Sequence, residues 1–265
     1  MRPIASLTRA EAAGVRYVLF DIDDTITEDG LLLRESYQAL WMLRDAGLYP
    51  VPITGRPAGW CDLIARQWPV AGVVGENGAF AFFMRDGHLE RLYHPVAPDP
   101  ATIRDRVAGL GSEAMDRFPG LRLAKDQPYR LFDVALDFAE EEPRFDLSFA
   151  GSVRDFCISR GAEAKVSSIH VNAWFGAYDK RSMAEYFLSS RFGFDPIPDT
   201  LSVMYFGDSP NDEPMFSRFP LSCGVANVTA YVEMMTALPG FVAERPFGYG
   251  FAEGVSILLR NIASV

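Results

Sequence analysis

The sequence is poor in the residues that build disulfide frameworks and thiolate metal sites. Its three cysteines, Cys61, Cys157 and Cys223, lie far apart, and none belongs to a C-x-x-C pair. This spacing argues against a disulfide scaffold and against a zinc site built from thiolates. A reducing compartment, the cytoplasm, is therefore the expected location.

Long hydrophobic runs are missing as well. The N-terminal stretch MRPIASLTRAEAAGVR has no apolar signal-peptide core. No other stretch approaches the roughly 20 apolar residues that a membrane-spanning helix requires. We therefore expect a soluble protein that is not exported and does not contact a membrane.

Positive charge is in short supply, because 25 Lys and Arg stand against 35 Asp and Glu for a formal net charge of −10. Proteins that bind nucleic acid usually carry a basic face, so nucleic acid is not an expected partner. The acidic run from Glu140 to Glu142, just before Pro143, is interpreted as a solvated loop. The sequence leaves the oligomeric state open.

Alternating strands and helices are what the sequence does contain. With 265 residues, of which 49% are hydrophobic, it can bury one large core or two modest ones. Short apolar strands followed by helices occupy both ends of the chain, and the stretch FGYGFAEGV (247–255) is read as a glycine-rich turn into the last helix. The predicted strands are 15–20, 48–53, 73–74, a hairpin at 79–84 and 88–93, and 201–206.

This alternation predicts an α/β fold, a Rossmann-like parallel sheet with helices on both faces. The core would be discontinuous, formed by residues 1–93 and 178–265. The middle, 94–177, begins with the proline-rich HPVAPDP and then mixes helices with strand candidates. It is predicted to be an inserted α+β cap domain with an antiparallel sheet.

Acidic residues crowd the end of the first predicted strand, where Asp21, Asp23 and Asp24 follow Phe20 directly. A second acidic loop, GDSPND (207–212), also follows an apolar strand, and ligands bind at the carboxyl ends of strands in open α/β sheets. Carboxylates without His or Cys favour a hard cation, so Mg²⁺ is predicted rather than zinc. Either loop alone is as readily a turn or a helix cap.

Groups suited to phosphate lie at two further places. Thr54, Gly55 and Arg56 follow a third strand and offer a hydroxyl, a backbone N–H and a guanidinium. Lys180, at the start of a helix, supplies a compact positive charge.

Together these segments resemble the haloacid dehalogenase (HAD) superfamily. DIDDT (21–25) is similar to its D-x-D-x-T motif, Thr54 to its second motif, Lys180 to its third and GDSPND (207–212) to its fourth. ENG (76–78) and the long insertion after it resemble the bacterial sugar-phosphatase branch with a large α/β cap, which includes phosphomannomutases and sucrose-phosphate phosphatases.

The resemblance implies a Mg²⁺-dependent phosphatase that acts on a small phosphorylated metabolite through an aspartyl-phosphate. Asp21 would be the nucleophile, and Asp23 would protonate the leaving oxygen and then activate water. The metal ligands would be Asp21, the backbone carbonyl of Asp23, and Asp208.

The remaining motif residues have implied supporting roles. Thr54 and the Gly55 N–H would bind phosphate oxygens, and Lys180 would steady both the nucleophile and the phosphate. Asn211 and Asp212 would orient Lys180 or a metal-bound water.

The cap offers weaker candidates on a predicted strand from Ser168 to Phe175. Two-residue periodicity places Ser168, His170 and Asn172 on one face, which would look down on the site. His170 and Asn172, together with Arg56, are candidate substrate-binding residues, although a purely structural histidine and a surface arginine are equally consistent with the pattern.

Three functions are compatible with these observations. The first is hydrolysis of a small phosphomonoester, most simply a sugar phosphate. The second is a phosphomutase, because Tyr178-Asp179-Lys180 resembles the W-D-K of phosphomannomutases, although the compact GDSPND loop is typical of phosphatases. The third, a non-catalytic phosphosugar-binding regulator, is disfavoured because every catalytic residue type is retained.

Overall fold

The computed structural model of the chain describes residues 1–167 and 169–263. Its strands are β1 (Arg2–Pro3), β2 (Tyr17–Phe20), β3 (Thr27–Glu28), β4 (Leu31–Leu32), β5 (Tyr49–Pro52), β6 (Val73–Gly75), β7 (Phe80–Arg85), β8 (His88–Tyr93), β9 (Arg122–Leu123), β10 (Asp133–Asp137), β11 (Glu163–Val166), β12 (His170–Trp174), β13 (Val203–Gly207), β14 (Ser222–Gly224) and β15 (Phe241–Val242). Its helices are α1 (Arg9–Ala12), α2 (Arg34–Asp45), α3 (Ala58–Gln67), α4 (Pro100–Arg117), α5 (Leu147–Ser159), α6 (Lys180–Phe192), α7 (Glu213–Arg218) and α8 (Phe247–Ala263). None of the helices within the described ranges combines the length and apolar character that a bilayer crossing demands.

A six-stranded sheet in the order β1-β15-β14-β13-β2-β5 forms the core, and each neighbouring pair is parallel. Side chains of β2 alternate between two buried clusters: Val18 and Phe20 join α1, α2 and α8, whereas Tyr17 and Leu19 join α6 and α7. Because both faces are covered, the strand is apolar throughout. The predicted core architecture is confirmed.

The four strands β11-β12-β10-β9 form a separate antiparallel sheet, which confirms the predicted cap architecture. Val134 and Leu136 of β10 pack in one buried cluster with side chains of α4 and α5. The alternate residues of β10 face away from these helices, because side chains alternate across a strand. All these elements fall inside the predicted insertion, 94–177, whose boundaries stay a prediction.

The predicted hairpin is present as β7 and β8, which pair from Phe80↔Tyr93 to Arg85↔His88. Its turn places Asp86 at φ 50° and Gly87 at φ 80°. Two positive φ values are what a tight two-residue hairpin turn requires, so the Asp-Gly pair sets the register.

The prediction of a glycine-rich turn at 247–255 is wrong, because α8 already begins at Phe247. The glycines serve close packing inside the helix instead. A Cβ on Gly254 would lie 2.4 Å from Cε1 of Phe206, and a Cβ on Gly250 would lie 2.1 Å from the carbonyl oxygen of Arg245. A larger side chain at position 254 would push α8 away from the central strand β13.

Candidate active site

The carboxyl ends of β2, β13 and β5, adjacent in the sheet, bring three predicted motifs together. Asp21 follows β2 directly, Asp208 follows β13, and Thr54 lies two residues beyond β5. Lys180, the first residue of α6, donates from Nζ to Asp21 Oδ1 at 2.7 Å and to Asp212 Oδ1 at 3.2 Å. Asp21 and Lys180, which are 159 positions apart in the sequence, therefore meet in one hydrogen-bonded group with Asp212.

Burial gives this group an unusual electrostatic state. Desolvation raises the pKa of Asp21 to about 7 against the opposing effect of Lys180, with Asp212 and Asp23 adding to the rise. Desolvation also raises the pKa of Asp208 well above its ordinary value, and neighbouring aspartates reinforce the effect. For Lys180, burial opposes the charged form, but the attraction of Asp21 and Asp212 outweighs it and the pKa is raised. The group has more carboxylates than its lysine can neutralise, so their full ionisation is disfavoured without a further cation.

Asp212 organises the fourth motif from a fully buried position. Its Oδ1 accepts hydrogen bonds from Lys180 and from the Tyr205 hydroxyl, and its Oδ2 accepts from the backbone N–H of Asp208 at 3.0 Å. A Cβ on Gly207 would lie 2.4 Å from the same Oδ2, so only glycine allows this approach. Both carboxylate oxygens of Asp212 are thus occupied by donors of the protein.

Asp21, Asp208 and Asp212 form a buried cluster in which one carboxylate oxygen of each residue lies within 4.8 Å of the other two. Because Asp212 is occupied by its donors, Asp21 and Asp208 are the carboxylates that would hold a cation. Thr25 Oγ1 donates to Asp208 Oδ1 at 3.1 Å and fixes that side chain. Two desolvated carboxylates with elevated pKa values fit a hard divalent ion, which would relieve their repulsion.

Asp23 is held by Arg56, whose Nε and Nη2 donate to its carboxylate at 2.7–3.1 Å. Arg56 Nη1 also lies 3.7 Å from Asp126 Oδ2 and 3.8 Å from Glu140 Oε1, both in the cap. The guanidinium lies over the Trp60 ring at 4.5 Å. Arg56 was predicted to bind substrate, and it does line the cavity. Its guanidinium is already paired with carboxylates of the protein.

Gly55 lines the same cavity, while Thr54 is fully buried. Thr54 Oγ1 accepts a hydrogen bond from the Arg56 backbone N–H at 3.0 Å, which folds the loop into a tight turn. The carbonyl of Gly55 accepts from Nη1 of Arg130, a cap residue, at 2.9 Å. The loop is therefore fixed from both domains.

On the cap side, the cavity is lined by His170 and Asn172 of β12. His170 Nε2 lies 2.8 Å from Glu140 Oε2, and Asn172 Nδ2 donates to Asp133 Oδ2 at 2.9 Å. The structure thus brings both predicted cap residues to the cavity that Asp21 lines. Ser168, predicted for the same face, lies outside the described residues.

The expectation that Glu140 is solvated is wrong, because this side chain is partly buried against His170 and near Arg56. The hydrogen bond to His170 lowers the pKa of Glu140 despite its partial desolvation. A charge run of three residues says nothing about a partner 30 positions away, and the sequence interpretation failed for that reason.

A buried charge network in the cap was missed by the sequence analysis. Arg130, which lines the cavity, donates from Nη1 to Asp133 at 2.9 Å and from Nε to Asp126 at 3.1 Å. Desolvation raises the pKa of Asp133, although Arg130 and Asn172 oppose the rise. An aspartate within the apolar strand FDVALDF was the available signal, because a buried charge needs a partner.

Asn211 completes the cavity wall. With Ser167 and Ser209 it also borders a second, wider cleft, which runs between α5 and β11 of the cap and the 209–234 segment of the core. The shared residues show that the cavity and this cleft adjoin.

No protein-family model matches the sequence, and no curated protein matches it either. Solved structures match along nearly the whole chain. Protein 0175 of Thermoplasma acidophilum is 19% identical with a TM-score of 0.71, covering 92% of this chain and 98% of that one. A haloacid dehalogenase-like hydrolase from Bacteroides thetaiotaomicron is 14% identical with a TM-score of 0.64 (91% and 98% covered). The sucrose-phosphatase of Synechocystis, solved with sucrose and phosphate, is 15% identical with a TM-score of 0.60 (92% and 97% covered).

The chain therefore has the fold of the haloacid dehalogenase-like hydrolases, which confirms the resemblance seen in the motifs at the level of the fold.

Proposed function

We propose that this protein is a Mg²⁺-dependent phosphatase that hydrolyses the phosphomonoester of a small metabolite, with a sugar phosphate as the substrate class. The observation that carries the proposal is the buried contact of Asp21 with Lys180, in a cavity that is also lined by Asp23 and Asp208. A carboxylate held by a lysine beside phosphate-binding backbone is the arrangement that covalent phosphoryl transfer needs.

In the proposed reaction, an oxygen of Asp21 attacks phosphorus in line, and the bond from phosphorus to the leaving oxygen breaks. Asp23, in its protonated form and released from Arg56, gives its proton to that oxygen. In the second step, Asp23 takes a proton from water, which attacks the aspartyl-phosphate and restores the carboxylate of Asp21. Lys180 and the N–H of Gly55 stabilise negative charge on the phosphoryl oxygens.

Asp21 and Asp208, with the backbone carbonyl of Asp23, would hold Mg²⁺. When bound, the ion would offset the repulsion between the carboxylates and the incoming phosphate. The raised pKa values of both aspartates support this part of the proposal, because desolvation and mutual repulsion disfavour their ionised forms and a bound cation would relieve both.

A sugar as the leaving group is supported by the chemistry of the cap wall. Asn172 and Ser167 present neutral polar groups and His170 presents an imidazole, and all three can form hydrogen bonds with hydroxyls. Sucrose and phosphate are the ligands named for the sucrose-phosphatase of similar fold.

Hydrolysis is favoured over the phosphomutase alternative by the same wall. A mutase works with a bisphosphate, whose second phosphate needs positive charge of its own. The arginines lining the cavity, Arg56 and Arg130, are both paired with carboxylates of the protein.

The proposal is tested by measuring the release of inorganic phosphate from a panel of phosphorylated metabolites, with Mg²⁺ and with EDTA. We expect metal-dependent release that does not require a bisphosphate activator. Isomerisation of a sugar phosphate with little phosphate release would indicate a mutase. Tight binding of a sugar phosphate, with no hydrolysis of that compound or of p-nitrophenyl phosphate, would indicate a regulator.

A further inference from the structure

The segment ENG (76–78) carries a strained backbone at the edge of the cavity. Glu76 has φ 43° and Asn77 has φ 56°. These values lie in the left-handed region, which residues other than glycine rarely adopt. Gly78, at φ 110°, continues the run. Strain of this kind persists only where surrounding structure holds it, and it clusters at functional sites.

Two neighbours hold the segment in place. Glu76 is fully buried, and its carboxylate accepts hydrogen bonds from the backbone N–H groups of Ala58, Leu131 and Phe132 at 2.6–3.1 Å. Gly78 lies so close to the start of α6 that a Cβ there would be 2.1 Å from the carbonyl oxygen of Asp179. The segment is thus fixed to the cap on one side and to the lysine-bearing helix on the other.

What this scaffold presents to the cavity is the side chain of Asn77. The residue lines the cavity with Asp21 and Gly55 and is only 3% exposed. Its Nδ2 is buried and has no hydrogen-bond partner among the described residues. Buried donors are almost always paired, so an unpaired one on a residue that lines the cavity indicates an absent acceptor.

The position of the amide indicates which acceptor is absent. The backbone N–H of Asn77 donates to the Thr54 carbonyl at 3.1 Å. Its side-chain atoms lie 3.1–3.3 Å from where a Cβ of Gly55 would stand, so the amide packs directly on the loop assigned to phosphate. Asn77 belongs to the core side of the cavity, away from the cap wall of His170 and Asn172.

We propose that the side-chain amide of Asn77 donates a hydrogen bond to a non-bridging oxygen of the phosphoryl group beside Asp21, as a further substrate-binding residue. This assignment rests on the phosphatase function proposed above and adds a fixed donor next to the N–H of Gly55. The hydrogen bonds that the Glu76 carboxylate accepts hold the backbone that positions this donor.

The test is direct binding of inorganic phosphate in the presence of MgCl₂, measured by titration calorimetry on the wild type and two variants. Asn77→Gly keeps a residue that tolerates positive φ and removes the amide, whereas Asn77→Asp keeps the size and replaces the donor by a carboxylate. We expect Asn77→Gly to weaken phosphate binding by about ten- to a hundredfold, the value of a hydrogen bond to a charged group, and Asn77→Asp to weaken it further.

A matched control is Asn261→Ala, whose side-chain amide donates to the Leu7 carbonyl at 2.8 Å and takes no part in the cavity wall. It should bind phosphate like the wild type. Thermal unfolding of each variant shows whether it is folded, and the aspartate variant decides the test if the glycine variant does not fold.

Wild-type affinity for phosphate in folded Asn77 variants would overturn the proposal, as would a wild type that binds no phosphate. An unchanged phosphate affinity with a raised KM for an ester would also overturn it, because the amide would then face the leaving group. Failure of the phosphatase function looks different: the wild type would bind phosphate through Asn77 but release none from any phosphomonoester.

Discussion

The core side and the cap side of the cavity treat charge in opposite ways. The core side gathers three buried aspartates around Lys180 and leaves negative charge in excess. On the cap side, Arg130 is bracketed by two aspartates, and His170 is paired with Glu140. Carboxylates that lack a cationic partner draw in a metal cation, which in turn attracts a phosphate, whereas a surface whose carboxylates are already paired suits an uncharged leaving group. The core side would carry out the chemistry and the cap side would select the substrate, and substitutions can test each side separately.

Removing the nucleophile should abolish the chemistry of the core side for every substrate. We expect Asp21→Asn to lower kcat by at least about a thousandfold on p-nitrophenyl phosphate and on the cognate metabolite alike, because the amide is a poor nucleophile. Asp45→Asn, at the exposed end of α2, is the control. Activity within about tenfold of the wild type, a barrier change of only ~1.4 kcal/mol, would refute the assignment.

Removing the lysine should cost stability as well as activity. Lys180→Met leaves Asp21 and Asp212 buried without their shared partner, so the free energy of unfolding should fall by about 3–5 kcal/mol. The exposed Lys125→Met, whose ion pair with Glu141 is a surface contact, should change it by less than about 1 kcal/mol. Chemical denaturation measures both, and equal losses would show that the Lys180 pair is not special.

The excess negative charge of the core side predicts a link between pH, metal and stability. Asp21 has a folded pKa of about 7 against an ordinary value of 3.8, and that of Asp208 is raised too. Between pH 3.8 and about 7, the folded state therefore holds a proton on Asp21 that the unfolded chain has lost. The metal-free protein should lose stability as the pH rises through this range.

Mg²⁺ should recover that loss, because it binds the ionised carboxylates. We expect saturating Mg²⁺ to raise the unfolding temperature more at pH 8 than at pH 5. Asp208→Asn should shrink the difference and weaken the dependence of activity on metal. The same Mg²⁺ shift at both pH values would argue against a metal on these aspartates.

The smallest expected effect sharpens the cap side of the comparison. His170→Ala or Asn172→Ala should leave hydrolysis of a small aryl phosphate nearly unchanged. With the cognate metabolite, each lost hydrogen bond should cost about 1–3 kcal/mol in kcat/KM. His88→Ala, exposed on β8, is the control. Equal losses on both substrates would mean that these residues support the core rather than select the substrate.

The two sides also differ in what the sequence could predict. The core-side residues follow predicted strands in short motifs, and the carboxyl ends of neighbouring parallel strands meet at one edge. Asp21 and Asp208 could therefore be expected to lie together, whereas Lys180, at the start of a helix, was placed beside them only by the resemblance. This expectation depends on the strand register, because a shift of one residue would turn these side chains to the other face of the sheet.

The cap network and the orientation of Asn77 could not be predicted in the same way. Arg56 meets Asp126 and Glu140 only because the cap closes on the core, and no local period records such pairing. The unpaired amide of Asn77 depends on left-handed backbone at two successive residues, which the letters E-N-G permit but do not require. The start of α8 was missed because its glycines, typical of turns, here answer a packing need.

The most direct test of the account is to trap phosphate on Asp21. Asp23→Asn should still be phosphorylated by p-nitrophenyl phosphate, whose leaving group departs without protonation, but should stall before hydrolysis because no base activates water. Acid quenching followed by mass spectrometry should then find one phosphoryl group on the peptide containing Asp21. A phosphoryl group on another residue, or release of phosphate at the wild-type rate with Asp21 unmodified, would contradict the mechanism.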